Sequence, residues 1–430
     1  LIDKREDVRG RALLAGLCCP GLADFDNSDE DTMAELAELV RTAGGETVLT
    51  VMQNRHTPDP RTFLGEGKCA ELKQIIADND IDLVIFDNEL SPSQSRALED
   101  ALSCRVIDRN ALILDIFADR AKTAEGKLQV ELAQYQYLLP RLTGMWSHLV
   151  RQTASGGSSP IGTRGPGETQ LETDRRHIRR KIQKLSEDLE DVRRVRATQR
   201  SRREKSEIPL VCIVGYTNAG KSTLLNALTG AQVHAADRLF DTLDPTTKTL
   251  HTERIGDVLI SDTVGFIRKL PHHLVEAFRA TLEELSYADV LVHVVDASDE
   301  NWRLQAQVVE ELTAELGAQE TPRILVFNKC DKLTDEQLPR EKDALYCSAL
   351  KGIGLEKLVS RLCDVLGENL RAVRFTLPYA AAQTLDLLYR DAHVKKAAYV
   401  PEGIDVEAVV DERTYGRIRA YLTEPDHGAV

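Results

Sequence analysis

A chain of 430 residues, 42% hydrophobic and 29% charged, has room for roughly two to four domains, which excludes a wholly disordered protein. Its 69 acidic residues against 55 basic ones, a formal net charge of -14, exclude a protein that coats nucleic acid with its whole surface, while leaving room for a local basic element. Eight cysteines with no C-x-x-C pair (Cys18 and Cys19 are adjacent) fit neither a disulfide scaffold nor a zinc module and suit a reducing cytosol. No apolar run nears the roughly 20 residues needed to cross a bilayer. The opening LIDKREDVRG is charged, lacks a signal-peptide core and starts without Met, as a trimmed chain would. A cytoplasmic protein is expected.

Residues 1–120 read as a parallel α/β subdomain. LLAGL (13–17), TVLTV (47–51), DLVIF (82–86) and CRVID (104–108) have strand character, and helix spacing runs over 31–40, 68–76 and 93–102, with Ser91-Pro92 as a helix start. The GEGK of Gly65 to Lys68 has the wrong spacing for a phosphate loop and reads as another helix start.

Residues 121–208 carry two apolar stripes at alternating spacings of four and three: Leu128, Leu132, Tyr135, Leu139 and Leu142, then Ile178, Ile182, Leu185, Leu189 and Val192. Two such stripes joined by one loop pack most simply as an antiparallel helical hairpin, with Pro140 expected to kink its first helix. The loop GGSSPIGTRGPGETQ (156–170) has five glycines and two prolines and cannot form a core. It reads either as a flexible linker or, at a hairpin tip flanked by Arg151 and Arg164, as a projecting contact loop. Residues 171–205 hold 13 basic against 7 acidic side chains, a net of +6 that leaves -20 for the rest. Such a run is either a solvated face or a phosphate-facing edge; Arg151, Arg164, Arg175 and Arg176 are the candidate RNA contacts.

From residue 209 to 366 a second α/β domain is expected: 210–228 reads as an apolar strand, a Gly-rich turn and a helix, and later strands recur at 257–261, 290–296 and 323–328. Residues 367–430 read as a small α+β domain: strands at 375–377, 394–400 and 404–410, helices at 383–389 and 413–422, and a frayed end from Glu424.

The chemistry concentrates in residues 209–366. Gly215-Tyr216-Thr217-Asn218-Ala219-Gly220-Lys221-Ser222, followed by Thr223, matches G-x-x-x-x-G-K-[ST] between an apolar strand and an apolar-periodic helix. Its glycines let backbone N–H groups turn toward phosphates at a helix N-terminus, Lys221 would neutralise the β and γ phosphates, and the Ser222 hydroxyl would ligate Mg²⁺. Asp262-Thr263-Val264-Gly265 ends a strand 40 residues later; Asp262 can hold the metal through water and the Gly265 N–H can touch the γ phosphate. Asn328-Lys329-Cys330-Asp331 closes another strand. Asp331 can accept two hydrogen bonds from guanine that adenine cannot supply, Asn328 would brace the loop, and Lys329 would lie along the base. In Cys347-Ser348-Ala349 the Ala349 N–H would face guanine O6.

These motifs in this order resemble the GTPase superfamily, which implies a switch threonine about 20 residues beyond Ser222. Phe240-Asp241-Thr242-Leu243-Asp244 and the following Thr246 and Thr247 supply candidates, Thr242 being preferred as third Mg²⁺ ligand. The candidate catalytic group is then Lys221, Asn218, Thr242 and Gly265. Phe266 stands where Ras-like enzymes carry a water-orienting glutamine, so hydrolysis should be slow alone and need a group supplied by a partner, the chain itself or a cation. Asn218 is similar to the asparagine with which some GTPases hold K⁺; it can equally be a loop brace.

GYTNAGKSTLLNAL, FDTLDPTTK, DTVGFIRKLPHHLVEAF and NKCD, with DNELSPSQSRALED (87–100), the stretch 107–142 and the loop 156–176, resemble the HflX family of ribosome-associated GTPases over about residues 10 to 366. The resemblance implies a monomeric factor that converts GTP to GDP and phosphate, binds the large ribosomal subunit and its rRNA through the hairpin, and splits or rescues stalled or idle ribosomes under stress. Two other readings compete: a GTP-gated switch for a protein partner, and an ATP- or GTP-dependent RNA remodeller, against which Asp331 argues.

Overall fold

A computed structural model describes residues 10–20, 22, 27–142, 166–204, 208–233, 236, 238–243, 245–270, 283–367 and 370–422. The chain forms two compact units. One gathers the sequence up to Val192 with Arg238–Leu243 and the segment starting at Arg268; the other holds Arg193–Asp237, Asp244–Ile267 and the chain from Arg279 onward.

The first unit is built on β1 (Arg11–Cys18), α1 (Glu30–Thr42), β2 (Glu46–Asn54), α2 (Glu66–Asp78), β3 (Leu83–Phe86), α3 (Pro92–Leu102), β4 (Arg105–Asp108) and α4 (Arg109–Arg120). The strands form a parallel sheet in the order β2-β1-β3-β4. Short polar side chains start the helices: Asp29 caps α1 in a reciprocal box with Thr32, Ser91 does so with Gln94 ahead of Pro92, and Asp108 accepts from the Ala111 N–H. Gly65 precedes α2, so the GEGK stretch is a helix start. Leu13, Leu17, Leu72, Val84, Phe86 and Leu98 are fully buried between sheet and helices, each burial worth about 1.5–3 kcal/mol.

Helix α5 (Ala124–Arg141) and the 39-residue α6 (Pro166–Glu204) bring their seams together: Leu132, Leu185 and Leu189 are buried, with Leu128, Tyr135 and Ile182 packed against them. Pro140 falls in the last turn of α5, so the expected kink coincides with the helix end. The Tyr137 hydroxyl and the Arg141 guanidinium bind the Asp108 carboxylate at 2.8 and 2.9 Å and fasten α5 to the end of β4. The expected loop 156–170 needs correcting at its C-terminal end: α6 already begins at Pro166, whose fixed φ and missing N–H suit the first helical position. Residues 156–165 lie outside the described residues, as do the expected frayed residues 424–430.

The second unit carries β5 (Leu210–Gly215), α7 (Lys221–Thr229), β6 (Thr246–Thr252), β7 (Gly256–Asp262), β8 (Val290–Asp296), α8 (Trp302–Glu315), β9 (Arg323–Asn328), β10 (Leu345–Tyr346) and α9 (Leu355–Gly367). The sheet order is β10-β9-β8-β5-β7-β6, parallel except for the edge strand β6. Its central strands are apolar on both faces, as helix-covered strands must be: Val211, Ile213, Val292 and Val294 are buried on one face and Cys212, Val214, Leu291 and Val295 on the other.

Beyond α9, β11 (Leu370–Leu377), α10 (Gln383–Asp391), β12 (His393–Val400), β13 (Gly403–Asp411) and α11 (Glu412–Ile418) make an antiparallel sheet ordered β11-β13-β12. Phe375, Leu377, Leu388, Ile404, Val406 and Ile418 fill its core. Only Pro401 and Glu402 separate β12 from β13, Val400 pairing directly with Gly403. Among the described residues no helix is long and apolar enough to cross a membrane.

Candidate functional site

The carboxyl ends of β7, β5, β8 and β9 follow one another along one edge of the sheet, the position where a parallel sheet holds its ligand. Gly215, Asp262 and Asn328 end β5, β7 and β9. The turn from Gly215 to Ser222 is tight enough that two glycines have steric reasons. Gly220 has φ +91°, and a Cβ there would meet the Asn328 amide nitrogen at 2.3 Å; a Cβ on Gly265 would lie 2.8 Å from Thr217 and 2.9 Å from the Lys221 nitrogen. Asn218 adopts φ +60°, a left-handed conformation that asparagine tolerates better than most residues.

Lys221 is buried, and its ammonium donates to the Gly215 and Tyr216 carbonyls at 3.1 and 2.7 Å. Burial drives its pKa down to about 8, against the opposing pull of Asp262. A charge held in a turn lined by main-chain groups is suited to phosphate oxygens. The Ser222 hydroxyl lies 2.5 Å from Asp262 Oδ2, so an alcohol and a carboxylate oxygen converge at the start of α7. Two hard oxygen donors beside a phosphate-binding turn fit Mg²⁺. Thr263 is a structural neighbour, its hydroxyl donating to the Ile213 carbonyl at 2.7 Å.

Phe266 is buried. Its N–H donates to the Gly215 carbonyl and its carbonyl accepts from the Thr217 N–H at 2.7 Å. The residue after D-x-x-G therefore stitches the phosphate loop to the chain following β7 and presents no polar side chain for a water.

Asn328 is 2% exposed and uses both ends of its amide: Nδ2 donates to the Ala219 carbonyl at 2.9 Å, and Oδ1 accepts from the Ala349 N–H at 3.0 Å. It braces phosphate loop and base loop together, as expected. The Ala349 N–H, expected to face guanine O6, instead donates to Asn328, because the side-chain carbonyl reaches it from within the same loop pair. Lys329, at φ +60°, pairs with Asp296 at 2.7 Å, and Asp331 pairs with Lys351 at 3.3 Å. Hydrogen bonds from Ser348 and Lys351 hold the Asp331 carboxyl below the usual range, and the carboxylate is partly rather than fully buried. Sequence reasoning passed over Asp296 and Lys351; the position of Asp296 at the end of β8, beside Asn328, was the available signal. Cys347 is buried and its thiol is pushed up to about 12, so it packs rather than reacts.

The preferred switch residue Thr242 lies on Arg238–Leu243, grouped with the first unit, whereas Ser222 and Asp262 belong to the second. Within the first unit the Phe240 ring, at φ +53°, meets Phe117 of α4 edge to face at 4.7 Å, and Asp241 approaches Arg120 at 4.0 Å. Thr246 and Thr247 open β6. Asp244 lies outside the described residues, as do Arg151 and Arg164. Arg175 and Arg176 lie on α6, Arg176 exposed and Arg175 half-buried.

Comparison with known proteins agrees with this geometry. Residues 30–118 match the family described as GTP-binding GTPase N-terminal, 120–203 the GTP-binding GTPase middle region, and 210–329 the family described as 50S ribosome-binding GTPase. A GTPase HflX from Caldanaerobacter subterraneus is 47% identical over 92% of this chain and 91% of its own, and that of Escherichia coli K12 is 43% identical over 86% and 87%. Among solved structures, a GTP-binding protein from Sulfolobus solfataricus in complex with GDP is 25% identical over 83% of this chain and 98% of its own, with a TM-score of 0.42. With relatives this similar along nearly its whole length and a GTPase family match over residues 210–329, the chain belongs to the HflX family of GTPases and hydrolyses GTP.

Proposed function

We propose that this GTPase works on the large ribosomal subunit, that its turnover is slow until the subunit completes the site, and that it separates stalled or idle ribosomes under stress, hydrolysis then releasing it. The observation that carries the reading is the burial of Phe266, which leaves the position after Gly265 without a polar side chain to orient water. The missing group must then come from elsewhere. The family description over residues 210–329 names 50S binding, and the exposed Arg176, Arg179 and Arg180 on α6 offer phosphate contacts on an otherwise acidic chain. Ser222 and Asp262 would hold Mg²⁺, which supplies charge neutralisation at the phosphates; Lys221 would bind the β and γ phosphates, the Gly265 N–H would register the γ phosphate, and Asn218 would hold K⁺. The protein would act as a cytoplasmic monomer.

The test is GTP turnover by the purified chain in potassium buffer, with and without purified large subunits. Stimulation of at least tenfold that weakens steeply with added salt is expected. Absence of both stimulation and subunit binding would favour the GTP-gated switch for a protein partner.

A further inference from the structure

The ion pair between Lys329 and Asp296 lies wholly within the second unit and uses a carboxylate that none of the nucleotide motifs contains. Strands β8 and β9 are parallel neighbours with Asp296 level with Asn328, so the two strands end together. Their ladder runs one step further, the Ala297 N–H donating to the Asn328 carbonyl at 2.9 Å. That register sets an acidic side chain beside the first residue of the loop after β9, which is Lys329.

The carboxylate is aimed by its own turn. Asp296 Oδ1 accepts from the Ser298 N–H at 2.9 Å and from the Ser298 hydroxyl at 2.6 Å, which leaves Oδ2 for the Lys329 ammonium at 2.7 Å. The two side chains are 16% and 20% exposed, so salt screens the pair less than one in open water. The lysine backbone is held as firmly. Its φ of +60° lies in the left-handed region that a residue with a Cβ enters at a cost, and such strain persists only where neighbours over-determine it. Here the Asn328 side chain braces the residue before, and the Cys330 N–H after it donates to the Cys347 carbonyl at 3.2 Å. Lys329 is thus fixed at its backbone and at its tip, which presets the flexible stem between them.

We propose that Asp296 is a positioning residue for guanine recognition: by anchoring the Lys329 ammonium it presets the lysine stem as one wall of the base site, and so sets the affinity for guanosine, GDP and GTP alike without touching the nucleotide. The proposal rests on the reading of residues 328–331 as the base loop. A lysine without that anchor has to surrender its rotamer freedom when the base arrives, a loss deducted from the affinity for every guanine ligand. The phosphates are held by other groups, so the rate at saturation is set elsewhere.

The test is equilibrium binding of guanosine, GDP and a non-hydrolysable GTP analogue to the full chain without ribosomes, with steady-state turnover beside it. Asp296→Asn is expected to weaken all three by one common factor of about tenfold, and to raise the GTP KM while kcat stays within about twofold. Lys329→Met, which keeps the stem and removes the ammonium, should match it, and the double variant should lose no more than either alone. Asp296→Glu, which restores a carboxylate, should bind GDP more tightly than Asp296→Asn. Parent-like GDP affinity in Asp296→Asn would overturn the proposal, as would additive losses, or a tightening that grows from guanosine to GTP, the mark of a carboxylate that merely offsets charge. Should Asp296→Asn not fold, Ser298→Ala decides: it loosens the carboxylate and keeps its charge, and is expected to weaken GDP about threefold, unchanged affinity overturning the proposal. Asp331→Asn separates the two readings. If it reverses the preference for GTP over xanthosine triphosphate while Asp296→Asn binds like the parent, only the role of Asp296 falls; if the preference stays, the base loop falls and Asp296 with it.

Discussion

Removing the Asn328 side chain isolates how much the bridge between phosphate loop and base loop contributes. Asn328→Ala leaves the Ala219 carbonyl and the Ala349 N–H buried without their partners at 2.9 and 3.0 Å. Each orphaned buried group costs about 1–3 kcal/mol, so about 2–6 kcal/mol is divided between the stability of this unit and its hold on nucleotide. If even 2 kcal/mol falls on binding, guanine nucleotide affinity drops about thirtyfold. Asn328→Asp separates the two hydrogen bonds: it keeps an acceptor for Ala349 but turns a second oxygen on the Ala219 carbonyl, and should be at least as damaging as alanine. Titration with a fluorescent guanine nucleotide reads the first share. Trp302, whose ring meets Phe327 at 5.0 Å one residue from Asn328, reads the second through denaturant unfolding in a Trp146→Phe background. An Asn328→Ala protein with GTP affinity within threefold of the parent and an unshifted unfolding midpoint would refute the bracing argument.

His293 lies in β8 between Val214 and Leu325, 1% exposed, with both ring nitrogens lacking a hydrogen-bond partner. Burial, with Arg323 and Lys221 adding to it, pushes its pKa down to about 3, so the folded state keeps the ring neutral where the unfolded chain, near 6.5, takes up a proton. Stability should therefore fall as pH drops from 6.5 toward 3, by up to about 1.4 kcal/mol per unit, and His293→Leu should flatten that slope in urea unfolding read at Trp302; an identical slope in the variant would count against it. Asp331→Asn replaces an acceptor by a donor facing the base: GTP affinity should fall by about a hundredfold or more and xanthosine triphosphate should bind better than GTP, a preference that competition binding measures directly. Retained GTP preference would mean that Asp331 does not read the base.

Motifs whose spacing is itself chemistry were legible before any fold: Gly215 to Ser222, Asp262 to Gly265 and Asn328 to Asp331 fall at strand ends because phosphate, metal and base must each meet backbone there. The strands around them were equally plain, being apolar runs such as VLVHVVD. Less was legible where tertiary partners decide. The strand β6 reads TTKTLHT, polar and without clean alternation, and exists because β7 offers it an edge. The Ala349 N–H turned to Asn328, a choice set by two side-chain torsions that no motif encodes. The ion pair between Asp87 and Lys269 was invisible for a simpler reason: the two stand 182 positions apart, and each alone looks like an ordinary surface charge.

The two-residue link from β12 to β13 has a consequence for the order in which the chain can settle. Parallel neighbours such as β5 and β8 must wait for some 75 intervening residues to be threaded before they can pair, and the entropy of closing that span is spent before any ladder forms. Across Pro401 and Glu402 the same ladder can grow outward from the turn on the microsecond scale of an isolated hairpin, with β11 added afterwards along β13. The sheet of β11, β12 and β13, synthesised after the other two, is thus the one that has the least to wait for.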